Sequence, residues 1–570
     1  MKRGVMDLIC DVIHQAGIEY VFGLPGGCAD FLMEQIYKNN IGINVITANH
    51  EGSASFMADM HGRMTRKPAV LIGQGPFIAS NGALGIMEAY HAGVPMVIIT
   101  ETSDYHGNAM QAVYQSATGE YGTLDIRNMF KGMCKYVGYA TTPYEAVYST
   151  QLAVKHAISG RPGPTCVIVR YNVMTSVVDD EELQVPLYPL EGHIEISPPC
   201  ISEVDAGKAA NLLIAAENPV MICGRGAHAA KAYDEVKQIA ELIGMPVMTS
   251  YMGKGIIAET HDLALGVMEK YGAPLTDKIL QNSDVILAIG TCLAPDNTNN
   301  CSPEFINVNK QKLIQIDIEP RNAGWTYPVT LGITSDAKIA LQKIIEKINS
   351  KFDYFIYDVN KRINDLKDLK KDPKMEFFSS EKYDLTESPI EPESIVKLFN
   401  ELINDKHIIV LDAGNNRAWF TRLLQTNTTE QVYGAGGVAS MAYGPSASIA
   451  AAMLKPDKKI ISVAGDSSFM MTPYVLNMAQ THDLPISFVI LNDSAFGNVR
   501  DVLSRKGRPI SLNPDIDFAK IADGFGVKSK SVAKYADLRS AIDEALNTKE
   551  LMLVDIKIHK KSNHLRIRRY

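Results

Sequence analysis

Two carboxylates at strand ends are the residues of this chain with the clearest chemical potential. Asp466 follows the apolar run IISVAG, and Asp493 follows ISFVILN. Both runs are continuous rather than alternating, the pattern of parallel strands buried on both faces. The segment between them has the length of a crossover helix, so residues 460–500 read as one βαβ unit. Open α/β sheets bind ligands at the carboxyl ends of their strands. Asp466 and Asp493 there could offer hard oxygens to one divalent cation, with nearby main-chain groups left for a phosphate. Two ordinary turns rich in Gly, Asp, Asn and Ser would read the same way.

The elements around them repeat that plan. Residues 68–100 and 219–249 each run strand, Gly-rich turn, helix, short turn with proline, strand. From strand-end glycine to the next strand's proline the spacing is 22 (Gly73 to Pro95), 22 (Gly224 to Pro246) and 20 (Gly465 to Pro485). Three α/β domains, each a doubly wound parallel sheet, account for the pattern. We expect a first domain over 1–175, a linker over 176–202 and a central domain over 203–350. A charged linker over 351–392, a third domain over 393–560 and a solvated basic tail over 561–570 complete the chain. Glu51 falls at another strand-to-helix junction, where a carboxylate also simply favours a helix N-terminus.

Composition bounds the class. The 570 residues carry a net charge of −8 with 46% hydrophobic content, which suits a globular protein and argues against a nucleic-acid binder. No apolar run reaches membrane-spanning length and the N-terminus lacks a signal-peptide core. The eight cysteines are scattered with no CxxC, several inside apolar runs, as expected of reduced core thiols in the cytoplasm. The GRGAH of residues 224–228 is only a partial dinucleotide fingerprint, without a third well-placed glycine or an acidic partner.

Taken in order, VFGLPGG, NHEGSASFMADMHGR, GQGP, SGRPGP, YMGKG, GAGGVASMAYG and GDSSF…LNDSAFGNV resemble the thiamine diphosphate-dependent enzymes of the acetolactate synthase-like superfamily. The resemblance spans nearly the whole chain. It implies pyrimidine-binding, central and diphosphate-binding domains, thiamine diphosphate with Mg²⁺, and a homodimer or homotetramer with active sites between subunits. Glu51 matches the catalytic glutamate that hydrogen-bonds the cofactor's aminopyrimidine and controls its protonation. Met441 matches the apolar prop beneath the bent cofactor, and the Ala439 carbonyl its amino-group acceptor. Asp466, Asp493 and the Ala495 carbonyl match the metal ligands. Pro25, Gly26, Asn81, Asn415, Asn416, Gly465, Ser467, Ser468, Phe496, Gly497 and Asn498 complete the cofactor-binding set. Gln115 matches a glutamine near the substrate, and Lys131 stands near the end of the same loop.

The chain also departs from the family pattern. Ser467 replaces a usual glycine, Asp493 a usual asparagine, and Gln74-Gly75-Pro76-Phe77 a smaller turn, so Phe77 is expected to reshape the pocket. TCLAPDNTNN lacks the arginine- and aspartate-bearing stretch that marks flavin binding, which argues against FAD. The resemblance points to decarboxylation of a 2-oxo acid followed by carboligation to an acceptor. Simple decarboxylation, C–C hydrolysis or acyl transfer are the alternatives within the class, and a non-catalytic family member the alternative outside it.

Overall fold

The computed structural model describes residues 2–27, 29–102, 117–119, 122–179, 187–268, 270–351 and 358–568. Its backbone holds three six-stranded sheets. All strand pairings within them are parallel. In the first, Ala69–Gly73 and Met96–Thr102 run side by side at the centre, with Tyr20–Gly23 and Asn44–Thr47 on one flank. Pro164–Arg170 and Tyr136–Ala140 complete the other flank. Ala69–Gly73 and Met96–Thr102 are buried throughout, as the apolar runs AVLIG and MVII favour, and Thr100, Glu101 and Thr102 are buried at the end of the second.

The central sheet is built on Pro219–Cys223 and Val285–Ile289, again fully buried. The glycines of the partial fingerprint have a packing role here. A Cβ on Gly224 would stand 2.4 Å from the Gly290 carbonyl, and one on Gly226 2.6 Å from the Gly290 Cα. Their smallness lets one strand-end turn lie against the next.

The third sheet pairs Lys459–Gly465 with Ser487–Asn492 in parallel, Gly465 opposite Leu491. This is the βαβ reading of residues 460–500. Its register sets Asp466 and Asp493 just beyond the carboxyl ends of neighbouring strands.

By contacts the chain divides into two compact units. The first comprises Met1–Ser197, Ala435–Pro456 and Asn477–Leu484, the second Pro198–Gly434, Asp457–Leu476 and Pro485–Tyr570. Within the first, the Glu51–Thr65 helix packs on the Tyr443–Leu454 helix: Ser53 Oγ lies 2.8 Å from Ser446 Oγ, and the Phe56 and Tyr443 rings meet edge to face. Both helices are buried on nearly every side, which explains their small and weakly periodic residues.

The expectation of a solvated tail is overturned. Ser562, His564 and Ile567 are buried, and the segment closes in a 3₁₀ turn over His564–Ile567. Its polar groups have partners in the second unit, with Ser562 Oγ and Arg566 Nη2 both bonded to Glu391. A cluster of basic residues reads as solvated only until buried carboxylates answer it. Among the described residues, no helix is long and apolar enough to cross a membrane.

Candidate active site

In the first unit, Glu51 opens its helix and is only 7% exposed. His50 caps the helix through Nδ1, which accepts the Gly52 N–H at 3.0 Å. The cap is thus supplied by His50, leaving the Glu51 side chain for another task. Asn81 Nδ2 donates to Glu51 Oε2 at 3.0 Å, which joins two of the expected residues. The Pro25–Gly26 turn is partly open, with the Gly26 N–H on Asp30 Oδ1 at 2.6 Å. Phe77, in the turn beside Gln74, is 41% exposed. Gln115 lies outside the described residues.

Ala439 and Met441 belong to this same unit. Ala439 adopts φ 56°, a left-handed conformation costly for a residue with a Cβ. What holds it was not foreseen from the sequence. The carboxylate of Glu88 accepts four consecutive backbone N–H groups, those of Gly436, Gly437, Val438 and Ala439, at 2.7–3.1 Å. Arg63 Nη2 donates to the same carboxylate at 2.6 Å, and Arg63 Nε to Asp59 Oδ2 at 2.6 Å. Tyr443 Oη closes the network on Asp59 Oδ2 at 2.6 Å. Burial alone would raise the Glu88 carboxyl, but the Arg63 guanidinium and these N–H groups hold it below its usual range. The available signal was a lone glutamate in the otherwise small and apolar stretch ALGIMEAYHA.

Among the histidines, His61 is buried beside Tyr20 and Phe22. Burial pulls its imidazole down to about 4, so it serves as a neutral core residue. His106 lies outside the described residues.

In the second unit, Asp466 and Asp493 are 4% and 6% exposed. The Ala495 N–H donates to Asp466 Oδ2 at 3.1 Å, so Asp466 and the 493–495 turn converge. Burial, then the charge of Asp493, pushes the Asp466 carboxyl up to about 7. Burial also raises Asp493, against the opposing pull of Arg500. Two buried carboxylates, one raising the other, make an arrangement that a cation relieves. Among the described residues, no three His, Cys, Asp or Glu side chains form a metal-holding group. Two carboxylates alone do not complete a metal site, so a cation here would need further donors.

Around it, a Cβ on Gly497 would stand 3.0 Å from Asp493 Oδ2 and 2.8 Å from Asn415 Nδ2, so this glycine lets both side chains lie close to the turn. Gly465 faces open space where a Cβ would stand. A cavity of about 220 Å³ opens beside Asp466 and Ser467, lined also by Met470, Phe496, Asn513 and Phe518. Ser467 Oγ accepts from Asn513 Nδ2 at 2.6 Å, and Ser468 Oγ donates to buried Asp412. Asn498 is exposed. The Nδ2 groups of Asn415 and Asn416 donate to protein oxygens, Asp501 Oδ2 and the Asp412 and Val463 carbonyls. Among the described residues their buried Oδ1 atoms have no hydrogen-bond partner. Orphaned buried acceptors of this kind call for a ligand that donates or coordinates.

Family models match the chain over three stretches. The thiamine pyrophosphate enzyme models match in order: the N-terminal TPP binding domain over residues 3–125, the central domain over 206–344 and the C-terminal TPP binding domain over 412–556. The chain belongs to the thiamine diphosphate-dependent enzymes of the acetolactate synthase-like superfamily. Among its relatives is a probable acetolactate synthase large subunit of Methanococcus aeolicus, 28% identical over 96% of this chain and 90% of that protein. The acetolactate synthase large subunit of Haemophilus influenzae is 27% identical over 99% of this chain and 96% of its own length. The mitochondrial acetolactate synthase catalytic subunit of Saccharomyces cerevisiae is 25% identical over 97% and 80%.

Proposed function

We propose that the chain is a thiamine diphosphate- and Mg²⁺-dependent lyase or transferase that decarboxylates a 2-oxo acid and joins the remaining acyl unit to an acceptor carbonyl. The observation that carries this reading is Glu51: a buried carboxylate with one oxygen fixed by Asn81. When bound, thiamine diphosphate supplies an electron sink for the carbon that loses CO₂. Glu51 would hold or release a proton at the aminopyrimidine, its free oxygen oriented because Asn81 occupies the other. Ala439 would present its carbonyl and Met441 its apolar side chain, both from the turn that Glu88 organises. Asp466, Asp493 and the Ala495 carbonyl would hold Mg²⁺, which in turn fixes the diphosphate.

A homo-oligomer with active sites between subunits, and a cytoplasmic location, belong to the same reading. Residues 291–300, TCLAPDNTNN, carry no arginine, which argues against FAD.

The test is incubation with a panel of 2-oxo acids and acceptor carbonyls, with products identified by mass spectrometry. Hydroxyketone products support the proposal, and aldehyde alone assigns the chain to non-ligating decarboxylation. Glu51→Gln is expected to bind the cofactor as the parent does while turnover falls about 100-fold or more. Unchanged turnover would remove Glu51 from the chemistry.

A further inference from the structure

Asp493 carries a negative charge toward a site that must also accept an anionic diphosphate, and the structure places a cation against it. Arg500 is buried, 7% exposed, and every nitrogen of its guanidinium is engaged. Nη1 donates to Asp493 Oδ2 at 2.6 Å and to the Lys560 carbonyl at 2.9 Å. Nε and Nη2 donate to Asp501 Oδ1 at 3.0 and 2.9 Å, and Nη2 also to the Ser562 carbonyl at 2.6 Å. Asp501 is fixed in turn through its other oxygen, which accepts from Asn415 Nδ2 at 3.0 Å, the His564 N–H at 3.1 Å and His564 Nδ1 at 2.8 Å. A buried chain of polar groups thus runs from the strand-end turn at Asp493 to the last residues of the protein.

We infer that Arg500 is a positioning residue for the metal and diphosphate site: it cancels the charge of Asp493 and fixes one of its oxygens, leaving the other to face the cation. This inference rests on the reading of Asp466 and Asp493 as the metal-binding pair. Three features support it. The planar fork of arginine reaches two carboxylates and two carbonyls at once, which a single ammonium does not. Asp501 holds the guanidinium from its far side, so the three groups together carry a single negative charge where the two carboxylates alone would carry a double one. The C-terminal segment, which the catalytic reading leaves without a task, supplies two carbonyls and His564 to seat this group.

The sign of the effect separates a charge-balancing role from a merely structural one. Removing the guanidinium leaves Asp493 uncompensated beside the diphosphate, so binding weakens. Removing both charges restores the balance. The probe is thiamine diphosphate titrated into the full chain at saturating Mg²⁺, read by tryptophan fluorescence, since buried Trp419 follows Asn415 and Asn416 on one helix. Thermal melting of each cofactor-free variant serves as the folding control. We expect Arg500→Met to raise the Kd about tenfold or more, with Asp493→Asn measured beside it as the single-variant reference. The double variant Asp493→Asn/Arg500→Met should return to within about threefold of the parent. Arg500→Gln, which keeps polar donors but no charge, carries the same comparison if the methionine variant does not fold. A double variant as weak as Arg500→Met, or an Arg500 variant that binds as the parent does, overturns the inference while leaving the metal-site reading intact. A parent protein that takes up no thiamine diphosphate with Mg²⁺ overturns both.

Discussion

The carboxylate of Glu88 shows how much a single buried residue can organise. Its four N–H partners lie 348 to 351 residues later in the chain, and its counter-ion Arg63 is itself buried. Replacing it by glutamine keeps one oxygen, turns the other into a donor aimed at donors, and leaves Arg63 facing Asp59 alone. Breaking a buried pair in this way costs about 3 kcal/mol, so Glu88→Gln should lower the urea midpoint markedly. Because Ala439 belongs to the turn that Glu88 holds, half-saturation by thiamine diphosphate should rise as well. An unchanged midpoint would show that the cradle is not stabilising. Glu51, Asp466 and Asp493 were legible in the sequence because a carboxylate beside Gly or Ser at a strand end is a local signal. Glu88 and Arg500 were not, since what defines each is a partner brought close only by folding. The second carboxylate at 493 was noticed as a departure, but its guanidinium partner seven residues on was not.

At the scale of elements, the continuous apolar runs announced the strands well, because a strand buried on both faces has little room for polar residues. The apolar spacing of VMDLICDVI suits the Val5–Gln15 helix, and YVFG forms the strand Tyr20–Gly23. The packing of helix on helix was much less visible. Gly85 lies where the Ala83–Ala92 helix crosses Glu51–Thr65, and a Cβ there would stand 2.2 Å from Ser55 Oγ and 2.6 Å from the Ser55 carbonyl carbon. The second of these neighbours is backbone and cannot swing aside. Gly85→Val should therefore separate two helices that carry Glu51 and Glu88, costing about 2–3 kcal/mol by overpacking. The melting temperature of the cofactor-free protein checks this, and an unaltered value would mean the contact has room to relax. In the sequence Gly85 is one of 42 glycines, and nothing local distinguishes a contact glycine from a turn glycine.

Across the molecule, the largest revision concerns the C-terminus, where a basic stretch proved to be the counterpart of buried acid. Glu391 gathers it. Lys382 and His559 Nδ1 pair with Oε1, Ser562 Oγ donates to Oε2 at 2.8 Å, and Arg566 Nη2 reaches Oε2 at 3.5 Å. The charged segment before the third sheet and the last residues of the chain thus meet at one carboxylate within the second unit. Burial by itself would raise that carboxyl, but the hydrogen bonds from Lys382, His559 and Ser562 outweigh it and bring it down to about 2. A carboxyl depressed in the folded state stabilises the protein at pH values above its unfolded value. That contribution is lost as the pH falls through the folded value. For Glu391 the window runs from about 4.5 down to about 2. Urea titrations of the parent and Glu391→Gln at several pH values isolate the effect, since the other carboxylates are common to both proteins. We expect a deficit on the order of 2 kcal/mol in the variant above pH ~5, solvent screening included. That deficit should narrow steadily below about pH 4.5 and nearly vanish near pH 2. A deficit independent of pH would mean that the cluster acts through its shape and not its charge. The C-terminal residues would then be held against the second unit by packing alone.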